Sequence, residues 1–287
     1  MHEIELSAGV IEYEDRGGTG APVVFLHGLL MDETLWTSVA DGLAPDHRSL
    51  VPVLPLGAHR HGMPPQADLS PRGIAALVAE FLAALDLRDV TLVGNDTGGM
   101  LVQLLMAEGP LERIAGAVLV SCDAFDNFPP GLTGRTLFRA GKLPPALFGL
   151  FMQQMRLKPV RRLPLAFGWL TKRGDAVVKR WMRPIWRQPE IRRDTVRVLR
   201  TAAADPNLLT DAAGKLAHFD RPALVVWARG DRVMPPEHGR RLAELLPDAR
   251  LVEIEDCYTL IPLDQPARLT TELRHFLDAT SSDTRSA

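Results

Sequence analysis

Cysteine is scarce: Cys122 and Cys257 are the only two in 287 residues. Two thiols cannot build a multi-disulfide scaffold; they fit a reducing compartment, and no metal-ligand spacing surrounds them. Tyrosine is equally rare, with Tyr13 and Tyr258 at opposite ends, so no phenol falls in the middle of the chain. No apolar run approaches the roughly 20 residues a bilayer span needs. The first residues include Glu3 and Glu5 and lack a signal-peptide pattern, so a cytoplasmic location is the expectation. There is no internal repeat, no glycine-rich dinucleotide or phosphate loop and no metal-binding cluster, so no cofactor and no metal are expected. No nucleic-acid-binding motif is present, and nucleic acid is not an expected partner. Nothing in the sequence bears on oligomeric state.

What is present suits a folded globule: 46% apolar and 24% charged residues. The net charge of −2 hides a division. Residues 135–200 hold 17 Lys/Arg and 3 Asp/Glu, a balance of +14, so the remainder carries −16. One strongly basic segment inside an acidic chain marks a compositional boundary.

Outside that segment, short apolar runs alternate with helical spacing. Strands are expected at residues 4–6 and 10–13, at 23–26 and 50–54, at 90–93 and 117–120, and at 223–227 and 251–254. Helices are expected over 34–43, 71–85, 98–108, 236–246 and 266–277, with Ser70 capping the second and Pro71 at its first position. Alternation of this kind predicts an α/β architecture, a mostly parallel central sheet with helices on both faces. Between 124 and 205 it stops; this stretch is rich in Pro, Arg, Trp and Phe and reads as an inserted helical lid. The expected organisation is a core of 1–123 and 206–280, a basic lid of 124–205 and a disordered tail of 281–287.

Ligands of such sheets sit at the carboxyl ends of the strands, so the loops there matter most. Thr91 to Gly99 read Thr-Leu-Val-Gly-Asn-Asp-Thr-Gly-Gly and run straight into a helix. This is the layout of a nucleophile elbow with Asp96 at the reactive position. A carboxylate there attacks saturated carbon and leaves an ester on the enzyme. Asn95-Asp96-Thr97 formally matches a glycosylation sequon, but a buried turn is no place for a glycan. Leu29, after His27-Gly28, and Thr97 are the candidates whose backbone N–H groups form an oxyanion hole. Asp231, in Arg229-Gly230-Asp231, lies 135 residues beyond Asp96 and follows the chain order nucleophile, acid, base. The base is missing: residues 255–266 contain no histidine, and Tyr258-Thr259 stand where one is expected.

Taken in order, His27-Gly28, the Asp96 elbow, Gly230-Asp231 with Pro235 and Asp264-Gln265-Pro266 resemble the α/β-hydrolase superfamily over nearly the whole chain. An aspartate at the elbow makes it similar to the branch of haloalkane dehalogenases, fluoroacetate dehalogenases and epoxide hydrolases. The resemblance implies an α/β-hydrolase fold with a lid and a hydrolase acting on a small to medium, mostly apolar molecule through Asp96. The departures are specific. Thr259 replaces the catalytic histidine, Thr97 replaces the Trp or Arg that follows the nucleophile in dehalogenases, and the lid has no tyrosine to protonate an epoxide. Two alternatives stay open: a lyase, isomerase or cyclase in which Asp96 shuttles protons, and a non-catalytic ligand-binding protein. The best substitutes for the missing base are His59 and His61, in the loop after residue 54. Other supporting candidates are Asp123, directly after a strand and able as a neutral acid to donate a proton, Tyr258 with its phenol O–H, Thr259, whose hydroxyl cannot act as the base at neutral pH, and His27, read first as structural. The lid admits three readings. With Trp169, Trp181, Trp186 and four phenylalanines it covers an apolar pocket, its positive field draws in an anionic substrate, or Arg and Trp touch an acidic membrane surface.

Overall fold

The computed structural model describes residues 1–44 and 46–284, the side chains of 281–284 excepted. Eight strands form one sheet: β1 (His2–Leu6), β2 (Gly9–Asp15), β3 (Gly20–Leu26), β4 (His47–Pro52), β5 (Val90–Asp96), β6 (Ile114–Cys122), β7 (Ala223–Ala228) and β8 (Ala249–Ile254). Their order is β1-β2-β4-β3-β5-β6-β7-β8. β1 pairs antiparallel with β2 and β2 with β4, whereas every pairing from β4 to β8 is parallel. The central strands are buried along nearly their whole length, as expected for a parallel sheet covered on both faces.

The helices are α1 (Thr37–Leu43), α2 (Pro71–Ala84), α3 (Thr97–Glu108), α4 (Gly131–Gly141), α5 (Pro145–Met152), α6 (Lys158–Arg161), α7 (Asp175–Trp181), α8 (Arg183–Arg187), α9 (Pro189–Ala203), α10 (Leu208–Leu216), α11 (Pro236–Leu245), α12 (Ile261–Asp264) and α13 (Pro266–Thr284). α1 packs on α13, α2 and α10 flank α3, and α11 lies on β7 and β8. The cap of α2 is the one its sequence predicts: Ser70 Oγ accepts from Gly73 N at 3.0 Å, with Pro71 at the first position. The helix expected from residue 34 is two pieces, a 3-10 turn at Glu33–Leu35 followed by α1. Asp32 accepts from Thr34 N at 2.9 Å and ends the first piece where it starts. All of α4 to α9 fall between β6 and β7. Of the tail expected at 281–287, α13 continues to Thr284 and 285–287 lie outside the described residues.

Candidate active site

β5 ends on Asp96 and α3 begins on Thr97, so the chain reverses within one residue. The reversal holds Asp96 at φ 56°, ψ −129°, a conformation that costs on the order of 1–3 kcal/mol for a residue with a Cβ. Glycines make room for the bend. A Cβ on Gly98 would stand 2.1 Å from the Leu26 carbonyl oxygen, and one on Gly28 2.4 Å from Asp96 Oδ1. Asn95, fully buried, donates through Nδ2 to the carbonyls of Val120 (2.8 Å), Ser121 (3.1 Å) and Thr259 (2.8 Å). It thereby ties β5 to the end of β6 and to the loop after β8.

Asp96 is 7% exposed. Its Oδ1 accepts from Thr97 N at 2.7 Å and lies 3.0 Å from Thr97 Oγ1, and the Leu29 N–H also bonds to the carboxylate. Burial raises the pKa of Asp96, and these three donors oppose the rise. Leu29 and Thr97 are thus brought together at Asp96. The same Thr97 hydroxyl lies 3.4 Å from Oδ2 of Asp123, which is 1% exposed and whose Oδ1 has no hydrogen-bond partner. Burial first, and the charge of Asp96 second, push the Asp123 pKa well above the usual carboxylate range. Two carboxylates thus share one hydroxyl. The arrangement favours one anion, Asp96 with its three donors, beside one neutral acid, Asp123.

Both acids line a cavity of about 240 Å3 between the carboxyl ends of the central strands and α4, α5, α9 and the segment 160–170. Its wall is otherwise apolar apart from the side chains of Thr97, Thr133, Thr136 and Gln154. Among the described residues no histidine, lysine, arginine or tyrosine lines it. The arginines of residues 135–200 therefore put no cation on the wall. Phe138, Phe151 and Phe167 face the cavity, whereas the three lid tryptophans do not: Trp181 is fully buried, its Nε1 donating to Asp32 Oδ1 at 2.9 Å.

The other sequence candidates lie elsewhere. Asp231 follows β7, and its Oδ1 accepts from Val233 N (3.0 Å), Met234 N (2.9 Å) and Thr259 Oγ1 (2.8 Å). Burial pushes its pKa up to about 6 against those bonds. Thr259 does occupy the position beside the acid, but it is fully buried, and neither residue reaches the cavity wall. His27 is structural. Its Nδ1 bonds to the Gly28 carbonyl and its Nε2 accepts from Leu54 N, each at 2.9 Å, and burial lowers its pKa to about 4. His59 is buried under the lid, 3.6 Å from Asp194 Oδ2 on α9, with its pKa lowered by burial. His61 stands on the β1–β2 hairpin side, where its ring and the carboxylates of Glu3 and Glu12 place ligand atoms within 4.8 Å of one another. Tyr258 lies between the cations of Lys172 and Arg232. Sequence reasoning missed the bridging role of the Thr97 hydroxyl, whose one available signal is its place next to the nucleophile position.

A family model for the alpha/beta hydrolase fold matches residues 21–266. A haloalkane dehalogenase of Mesorhizobium japonicum is 29% identical over 148 residues, 50% of this chain and 46% of the dehalogenase, so the match spans less than half of that relative. A cis-3-alkyl-4-alkyloxetan-2-one decarboxylase of Shewanella oneidensis is 24% identical over 302 residues, 98% of this chain and 89% of the decarboxylase. Among solved structures, a thermophilic esterase from Thermogutta terrifontis superposes with a TM-score of 0.73 at 23% identity, covering 97% of this chain and 98% of the esterase, a likeness of fold. With an elbow at β5, a backbone-amide pair facing it and an acid after β7, the chain belongs to the alpha/beta hydrolase fold family.

Proposed function

We propose that the protein hydrolyses neutral, apolar molecules with a strained C–O bond, epoxides foremost, with Asp96 as nucleophile and Asp123 as acid and then base. One observation carries this reading: among the described residues, the only ionisable groups on the wall are two carboxyl groups that share the Thr97 hydroxyl. The Asp96 carboxylate attacks a ring carbon, the C–O bond breaks, and the departing oxygen takes the proton of neutral Asp123. An ester on Asp96 and an ionised Asp123 result. Water then gives a proton to Asp123 while its oxygen adds to the ester carbonyl, and the oxyanion meets the Leu29 and Thr97 amides. Collapse expels the alkoxide, which takes the remaining proton. The sum is epoxide plus water to diol, with both acids restored. Asp123 thus supplies what a lid tyrosine and the missing histidine would supply together. Asp231 is a positioning residue in this scheme, joining the loops after β7 and β8 through Thr259, and residues 124–205 are the lid that closes the cavity. The absence of a cation from the wall favours a neutral substrate over an anionic one.

A second reading is a lyase, favoured by the burial of Thr259 and by the decarboxylase relative, whose named substrate is a four-membered lactone with alkyl arms. Asp96 attacks the ring carbon bearing oxygen, and the ring oxygen leaves as a carboxylate. Loss of carbon dioxide then forms the double bond and expels Asp96. That path needs neither water nor base.

A single turnover in 18O-water separates the two. Hydrolysis through the ester places the label on Asp96, read by mass spectrometry of its peptide, and leaves the first product unlabelled. The lyase labels neither. A labelled first product with unlabelled Asp96 means direct attack by water and overturns Asp96 as nucleophile.

A further inference from the structure

Large apolar side chains left exposed are few, and nearly all stand in one stretch. They are Met1 and six leucines of the lid, Leu132, Leu147, Leu150, Leu157, Leu163 and Leu165. Leu150 is 68% exposed and Leu157 61%. Scattered single leucines need no explanation, but a cluster does. The same stretch has no acid: from Asn127 to Gly174 there are nine Lys/Arg and no Asp or Glu. Arg161 is buried against Asp175, and Lys172 and Arg173 reach Asp256. The remaining six, Arg135, Arg139, Lys142, Arg156, Lys158 and Arg162, are exposed and make no close salt bridge among the described residues, although the charges of Lys158 and Arg162 reach Asp175.

The two features share one stretch of the chain, residues 127–174. Leu163 and Leu165 also line the cavity, so the cavity mouth lies among the exposed leucines. The Thr133 hydroxyl donates to the Pro164 carbonyl at 2.8 Å and fastens α4 to that rim. A second, shallower cleft on α4 is walled by Arg135, Arg139 and Lys142 together with Phe128 and Phe138. Cations at the edge of an apolar patch match the phosphates and acyl boundary of a lipid surface.

We propose that this face of the lid docks on a bilayer rich in anionic lipids. The leucines enter the boundary between headgroups and acyl chains, the six cations sit at phosphate level, and the cavity mouth faces the membrane. The lid tryptophans take no part: Trp181 is buried, and Trp186 donates through Nε1 to the Met152 carbonyl at 2.9 Å. The docking stands apart from the chemistry at Asp96, so either holds if the other fails.

The test is co-sedimentation of the full chain with phosphatidylcholine vesicles, with and without phosphatidylglycerol. Partitioning at least about a thousandfold stronger onto the anionic vesicles is expected at low salt, six exposed cations contributing about fivefold each. Raising the salt should erase most of that gain. Lys158→Glu with Arg162→Glu should lower anionic binding by about a hundredfold or more. Leu150→Asp with Leu157→Asp should lower it even at low salt. All four residues lie off the cavity wall, so turnover of a dissolved substrate should be unchanged in both variants, which checks that they fold. Equal sedimentation with both vesicle types overturns the proposal. So does undiminished binding of the leucine variant, which would mean adsorption by charge alone. Concentration-dependent self-association abolished by the leucine substitutions would assign the patch to a second copy of the chain and overturn it as well.

Discussion

Asp231 carries a cost that its surroundings make measurable. It is a buried carboxylate with no histidine beside it, and burial moves its pKa from 3.8 to about 6. The perturbation is Asp231→Asn. Oδ1 accepts all three close hydrogen bonds, from Val233 N, Met234 N and Thr259 Oγ1, and an amide oxygen can accept them equally. The substitution therefore removes the charge while keeping those contacts. The folded state holds the proton more tightly than the unfolded state. The stability contributed by the neutral acid is whole below pH 3.8 and is lost as pH rises through about 6. A difference of 6 − 3.8 = 2.2 units corresponds to about 3 kcal/mol at 1.36 kcal/mol per unit. The wild-type curve alone does not isolate this effect. His27, lowered from 6.5 to about 4, stabilises in the opposite sense: its contribution is lost as pH falls through that range. The difference between variant and wild type cancels His27. Urea unfolding followed by tryptophan fluorescence, with Trp36, Trp181 and Trp227 fully buried, gives that difference at each pH. The variant should gain about 3 kcal/mol relative to wild type between about pH 4 and pH 7, then hold steady. A flat difference would refute the reasoning, since it would mean that Asp231 ionises in the fold as it does in water. Turnover should stay within a few-fold, because Asp231 acts only through Thr259. A thousandfold loss would put Asp231 at the chemistry itself.

Asp123→Asn removes the acid and base together, and hydrolysis of an epoxide should fall by about 10²- to 10⁴-fold in steady-state kinetics. Asp96→Asn should abolish the covalent ester, read as the loss of any substrate-sized mass increment on the intact chain. Gly28→Ala places a methyl 2.4 Å from Asp96 Oδ1, so Asp96 must shift; a loss of about 1–3 kcal/mol in stability and a fall in kcat larger than in 1/KM should follow. Thr97→Val cuts the link between the two acids while keeping the Thr97 amide, and the pH profile of kcat should move although the oxyanion donors stay in place.

The alternation of strands and helices was readable because parallel strands buried on both faces are continuous apolar runs, as in β3, β5 and β7. Glycine at 94, 98 and 28 was readable for a related reason, since only glycine fits where backbones cross at the distances seen around Asp96. The histidines were not. His59 and His61 sit three and five residues after Leu56, in one loop on the active-site side of the sheet. One is buried against the lid aspartate Asp194 and the other stands at the surface beside Glu3. Loop position does not say which way a side chain turns. The charge of residues 135–200 is legible in the sequence, but its placement is not: none of those cations lies on the cavity wall.

By itself, the sequence determined the α/β-hydrolase fold and the sharp turn that carries Asp96 between β5 and α3, because each is a local pattern of apolar period or glycine spacing. Only the tertiary structure decided that Asp123 joins Asp96 through Thr97 on the wall of one cavity, while Asp231 and Thr259 close on each other outside it. Those facts depend on how the ends of β5, β6 and β7 are aligned across the sheet, and residues 26 and 28 positions apart carry no local sign of meeting.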